Sequence, residues 1–540
     1  IQAAKRCREE RNMTTAITIG MIIIYVAIMM GIGVYTARQT RSVSDFVLGS
    51  HSVGSWLTAF AYGTSYFSAV VFIGYAGQFG WTYGVSAAWV GVGNALLGSL
   101  LAWIVLGRRT RIMTQSLGAK TMPEYFEKRW NSKGLKIAAA LIVFVFLIPY
   151  TASVYNGLSR LFNMAFQIES EGAYKIIIIV MALLTAIYVI LGGYAATAIN
   201  DFIQGIVMLI GIAAVVICAI QNQGGLTSAL AALGEIEVNG KTNTLNSVFG
   251  PDPLNLLGVV ILTSLGTWGL PQMIHKFYAI KSENDIKKGA VISTVFALIV
   301  AGGSYLLGGF DRLFCTLTED GSGKTVISTL SNGKPDFDAM IPSLLHTALP
   351  DILIGLVVVL VLSASMSTLS SLVLTSSSTL TIDLIKPNLK KCSDKKEMLI
   401  MRVLIAVFLV ISVLLAFNKN ASISTLMSYS WGALAGAFLG PFMYGLFSKK
   451  ITKPAVWTSF ILGIGLTLVH MFLFGFGWDP ELSKAAASLP LNLASPINAG
   501  AITMLLSLIV VPVVSALTKV KDPKHVEQVF TCYAAPEKKD

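Results

Sequence analysis

The sequence predicts an all-α integral membrane protein of about thirteen transmembrane helices. Composition is the first reason. Of 540 residues, 54% are hydrophobic and only 13% charged, where a soluble domain carries about 25% charged residues. The second reason is recurrence. A spanning helix needs roughly 20 apolar residues to cross about 30 Å of hydrocarbon, and such runs repeat from end to end. The third is the alternation of basic and base-poor loops between the runs.

The spans are read near Ala16–Thr36, Val53–Gly77, Val85–Leu106, Ile137–Leu161, Ile176–Ile190, Ile199–Ile220, Leu254–Ile274, Ala290–Leu307, Ile352–Ile385, Met398–Ala416, Ile423–Leu446, Ala455–Phe476 and Asn498–Leu517. Residues 13–518 form one transmembrane domain, with an inverted-repeat core at about 53–447 and a cytoplasmic tail at 519–540. The loop after the third span holds Arg108, Arg109, Arg111, Lys120, Lys128, Arg129, Lys133 and Lys136. The loop after the seventh holds Lys276, Lys281, Lys287 and Lys288, and those after the ninth and eleventh are also basic. Loops after even-numbered spans are poorer in base. Odd-numbered loops are therefore cytoplasmic, the N-terminus outside and the C-terminus inside. Residues 1–12 carry Lys5, Arg6, Arg8 and Arg11 on the wrong side of that rule, and Met13 directly precedes the first apolar run. They are read as a non-native or disordered extension, with native translation beginning at Met13.

The net charge of +12 is assigned to these loops facing anionic lipid, not to nucleic acid, because no soluble basic domain is present. The five cysteines, Cys7, Cys218, Cys315, Cys392 and Cys532, have no CxxC or zinc spacing. No nucleophile–base pair, HExxH or GxxxxGK[ST] motif argues for an enzyme or an ATP-driven pump.

Two spans look interrupted. The second reads Ala61-Tyr62-Gly63-Thr64-Ser65-Tyr66-Phe67-Ser68-Ala69, and the seventh Ser264-Leu265-Gly266-Thr267-Trp268-Gly269-Leu270-Pro271-Gln272. Small and hydroxyl residues at depth free carbonyls, and Pro271 removes a backbone donor. Each alone also fits ordinary helix packing with a kink. Five spans separate the starts of the two, which suits a five-plus-five repeat with a solute site at the midplane. The ninth span ends Ser363-Ala364-Ser365-Met366-Ser367-Thr368-Leu369-Ser370-Ser371. Residues 364, 367, 368 and 371 share one helical face, a stripe of oxygen donors of the kind hard cations prefer. Against that, Ser and Thr in spans often bond their own i−4 carbonyl. Among charged residues, Asp201 is read either as an acidic N-cap of the sixth span or as part of a site. Arg160 is read as snorkelling to the interface, and His470 as a packed histidine with no site role.

At these residues the sequence resembles the sodium:solute symporter family. Asp45-Phe46-Val47-Leu48-Gly49-Ser50, Gly192-Gly193-Tyr194-Ala195-Ala196 through Asn200-Asp201-Phe202-Ile203-Gln204-Gly205, Gly269-Leu270-Pro271-Gln272 and Ser363 through Ser371 carry the resemblance. It implies a leucine-transporter fold for spans two to eleven, with one extra N-terminal and two extra C-terminal helices. It implies a sodium site at Thr64, Phe67, Ala364, Ser367 and Thr368. It also implies a second sodium at Asp201, Ser370 and Ser371, giving two sodium ions per cycle. The expected solute pocket comprises Tyr66, Tyr150, Thr267, Trp268 and Gln272, and suits an amino acid such as proline, a small carboxylate such as pantothenate, or a sugar-like polyol. The expected partners are the solute, sodium ions (Na+, the coupling ion) and the lipid bilayer of the plasma membrane, with the chain acting as a monomer. An uncoupled facilitator or channel on the same fold is the main alternative. A membrane sensor would need an appended soluble domain.

Overall fold

The computed structural model describes residues 2–38, 42–49, 53–166, 170–319, 323–330, 335–389, 393–417, 422–476 and 478–534. Among them the chain is almost entirely helical. Strand is limited to the parallel pair Cys315–Thr316 and Thr325–Val326.

Among the described residues, nine helices are long and apolar enough to cross a membrane, or ten if the bent pair Pro253–Gly269 and Pro271–Tyr278 counts as one span. Every predicted span falls on helix, but neighbouring spans are joined in longer runs. Val70–Leu117 is a 48-residue run and Gly172–Asn222 a 51-residue run. At about 1.5 Å per residue each exceeds 70 Å, more than twice a hydrocarbon core. Each contains one residue that leaves helical geometry, Gly84 (φ 62°) and Gly193 (φ 55°). Only glycine adopts such a conformation at little cost. The breaks fall between predicted spans two and three, and between five and six. The first helix runs continuously from Gln2 to Ala37, so helix begins ahead of the predicted first span.

Loop contacts fall into two sets. Arg108 pairs with Glu283 at 2.7 Å, and Arg111 donates to the carbonyls of Ile280 and Lys281. Lys281 N donates to Val53 O. Arg129 reaches Gly445 O and Ser448 O, and Lys449 pairs with Glu527 near the C-terminus. These are the loops after spans one, three, seven and eleven together with the tail. At the other end Val85 N donates to Leu245 O, Arg312 to Trp81 O, and Ile423 N to Asp338. Those are the loops after spans two, six, eight and ten.

Ile423–Phe447 is buried along nearly its whole length. It packs against the fourth, seventh, twelfth and thirteenth spans. A helix walled by protein has no need of a lipid-facing apolar surface, which is why Ser424, Ser428 and Ser430 are tolerated there.

Several charged side chains lie where the sequence did not place them. Lys276, assigned above to a basic loop, is buried inside Pro271–Tyr278. The seventh span bends by 46° at its break and continues to Tyr278, which carries Lys276 inward. Lys136 is also buried, 2.8 Å from Glu127 and 3.7 Å from Asp383. Arg160 reaches the loop after the eighth span, as a snorkelling side chain would, and pairs there with Asp336 at 2.5 Å. Asp201 is no N-cap, because helix resumes after Gly193, well upstream of it. His470 bonds Leu493 O at 3.0 Å, as a packed histidine would.

Candidate functional site

The second span breaks where its residues suggested. Helix Ser55–Tyr66 stops at Phe67, which takes an extended conformation (φ −94°, ψ 123°), and helical turns of wide π type resume at Val70. A helix end leaves its last carbonyls without intrahelical donors. Thr64 and Phe67 expose theirs toward the ninth span. Thr368 Oγ1 lies 3.5 Å from Thr64 O, 3.4 Å from Phe67 O and 3.2 Å from Ala364 O. One hydroxyl proton cannot serve three acceptors, so these contacts stay long and the carbonyls remain under-satisfied. Ser367 Oγ, one residue away, is buried and makes no hydrogen bond of normal geometry among the described residues. Four of the five predicted ligands thus meet directly, and the fifth lies adjacent in sequence.

The spacing suits a sodium-sized cation. Calcium, of similar size, sits about 2.4 Å from its oxygens. Neighbouring ligands of an octahedron then stand about 3.4 Å apart, since the edge is √2 times that distance. The Thr368 contacts bracket that value. All of the oxygens are neutral and out of water, so an ion would supply the charge that the carbonyl dipoles lack.

The second predicted cluster is different. Asp201 and Ser371 do converge, but around an ammonium group. Lys276 Nζ is 3.5 Å from Asp201 Oδ2 and donates to Ser371 Oγ at 3.0 Å. It also lies 5.3 Å from the centroid of the Tyr194 ring. Ser371 Oγ is 2.8 Å from Ser65 Oγ, which ties this cluster to the broken second span. Ser370 turns away and donates to Ser367 O at 2.8 Å, a bond within its own helix.

The predicted solute residues also divide. The Tyr66 hydroxyl donates to Thr263 O at 2.9 Å, and its ring lies 6.0 Å from that of Trp431. Tyr150 meets Trp431 edge to face at 5.8 Å. Tyr150 Oη, Trp431 Nε1 and both polar atoms of Gln272 are buried without partners. Thr267 and Trp268 instead donate to the third-span carbonyls of Gly98 and Leu97, at 3.0 and 2.9 Å. They fasten the seventh span to the third, because helix Pro253–Gly269 presents that face to Asn94–Leu101. Sequence reasoning missed Trp431 and Asn94. Trp431 stands in the polar stretch Ser428-Tyr429-Ser430-Trp431 of an otherwise apolar span, which was the available signal. Asn94 Oδ1 accepts from Thr263 and Ser264.

Comparison with known proteins gives this geometry its context. The chain is 30% identical over 509 residues, 92% of each chain, to a sodium/proline symporter of Staphylococcus aureus (strain JH9). Its fold matches that of a solved Na+-coupled sialic acid symporter with a TM-score of 0.68 at 18% identity, over 94% of this chain and 98% of that one. A nucleobase-cation-symport-1 family transporter matches with a TM-score of 0.50 at 13% identity, over 90% and 98%. These neighbours are leucine-transporter-fold proteins. The sodium:solute symporter family model matches residues 46–463. With that match across most of its length, the chain belongs to the sodium:solute symporter family, a family of membrane transporters rather than enzymes, with sodium as the coupling ion.

Proposed function

We propose that the chain imports a small polar organic solute together with sodium by alternating access, and that the solute is a small amino acid, with proline the first to test. One observation carries the reading: carbonyls freed by the break at Phe67 converge with Thr368 at the separations a sodium ion needs. In this scheme Thr64, Phe67, Ala364, Ser367 and Thr368 hold the ion between two elements that move relative to each other. The ion stabilises the arrangement in which the second and ninth spans are together, and that arrangement shapes the solute pocket. Tyr66, Tyr150 and Trp431 line the pocket, with Gln272 contributing its unpartnered amide. These groups are aromatic or neutral, which fits a compact zwitterion or a small carboxylate. The named relative that transports proline supports the amino-acid choice.

Two-sided loop contacts support about thirteen crossings built on an inverted five-plus-five repeat, with one extra helix before it and two after. The basic loops, and with them the C-terminus, then face the cytoplasm across the plasma membrane, with the chain working as a monomer.

The test is uptake into proteoliposomes of purified protein under an imposed sodium gradient, with radiolabelled proline and a panel of small carboxylates and sugars. Accumulation above equilibrium that requires sodium, and that needs tenfold or more sodium in Ser367→Ala and Thr368→Ala, is the expected result. Equilibration without accumulation at every gradient would instead identify an uncoupled facilitator.

A further inference from the structure

The geometry points to Lys276 as a built-in cation that takes the place of a second sodium ion, so that one sodium binds per chain. This rests on the sodium cage proposed above and fixes how many ions accompany it. The broken seventh span buries Lys276 among packed helices, where its side chain is 2% exposed and that of Asp201 is 0% exposed. An ammonium has three protons and here faces three kinds of acceptor. They are the Asp201 carboxylate, the Ser371 hydroxyl and the π-face of Tyr194. Asp201 and Ser371 are the groups that would otherwise present oxygens to a free ion. Sodium entering there would meet the ammonium at contact distance, and the repulsion of two like charges in a low-dielectric site is large. Asp201 Oδ1 makes no hydrogen bond of normal geometry among the described residues, and Lys276 is the cation that pairs with this carboxylate. Among the described residues the first cage has no side-chain cation bonded to its oxygens, and there the charge must come from solution.

Equilibrium binding of radioactive sodium to purified, detergent-solubilised protein tests this directly. Wild type is expected to bind one ion per chain with a Hill coefficient near one. Lys276→Gln leaves Asp201 without its counter-charge and is expected to bind two, with sigmoidal dependence. Lys276→Gln combined with Asp201→Asn is expected to return to one. Two ions bound by wild type, or one bound by a folded Lys276→Gln protein, would overturn the proposal. Should Lys276→Gln fail to fold, the wild-type count and that of the double variant decide alone, at one each in support and at two in either against. Binding of no sodium by any form would sink the cage itself, a different failure from a count of two.

Discussion

The ninth span contributes to two clusters less than one helical turn apart, at Thr368 and Ser371, and they are built on opposite principles. Around Thr368 every oxygen is neutral, and three backbone carbonyls share one hydroxyl. Around Ser371 there is a full carboxylate and a full ammonium. The first arrangement is polar but incomplete, and in the proposed scheme an ion from solution completes it. The second already holds both charges. The contrast teaches that a run of serines in a span does not report how many ions it binds. What matters is whether a neighbouring helix has already brought a charge.

The largest effect expected from breaking this contrast lies in the charged cluster. Removing one partner of a buried ion pair costs about 3–5 kcal/mol, because the other charge is left alone. Asp201→Asn should therefore lower thermal stability markedly in any buffer. Lys276→Gln should do so in choline buffer and recover in sodium, since the ion can replace the ammonium. Equal stability of Lys276→Gln in both buffers would erase the distinction between the clusters. Next in size is the neutral cage. Thr368→Ala removes one ligand and leaves the carbonyls in place, so the sodium concentration for half-maximal uptake should rise tenfold or more, a loss of about 1.4 kcal/mol. Expression and fold should be unchanged, because Thr368 makes only long contacts.

A third effect sharpens the comparison from outside both clusters. Asp338, in the short turn Phe337–Ala339, is buried and accepts from Ile423 N at 3.1 Å. Burial pushes its carboxyl up to about 6, against the opposing pull of Arg160. The native state then holds a proton that the unfolded chain releases above pH 3.8. Stability contributed by this group is present below that value and lost as pH rises to about 6. Thermal unfolding of wild type between pH 4 and 7 should show that decline, and Asp338→Asn should flatten it.

Much of this was legible in the sequence. Apolar runs located the long helices, Pro271 located the seventh-span break, and the serine-rich face of the ninth span marked the helix that meets the carbonyls of Thr64 and Phe67. Alternating loop charge matches the two sets of loop contacts. The second-span break was visible only as a cluster of small and hydroxyl residues with no proline, and the structure was needed to place its carbonyls. Lys276 was misplaced for a definite reason. Hydropathy ends a span at the first basic residue, while a bent helix can turn that residue inward. The solute pocket was legible in part. Tyr66 and Tyr150 do meet, but through Trp431, which lies far away in sequence. Thr267 and Trp268 pointed elsewhere because no single-span pattern reveals which neighbour a helix face meets.

The most direct test of the central claim is the sodium dependence of thermal unfolding, measured at constant ionic strength with choline as the replacement cation. A ligand that binds only the folded state raises stability in proportion to the logarithm of its concentration once saturating. Wild-type protein should show that rise, and Thr368→Ala should show it only at tenfold higher sodium or not at all. The same rise at the same sodium concentrations in both proteins would contradict the cage formed by Thr64, Phe67, Ala364, Ser367 and Thr368.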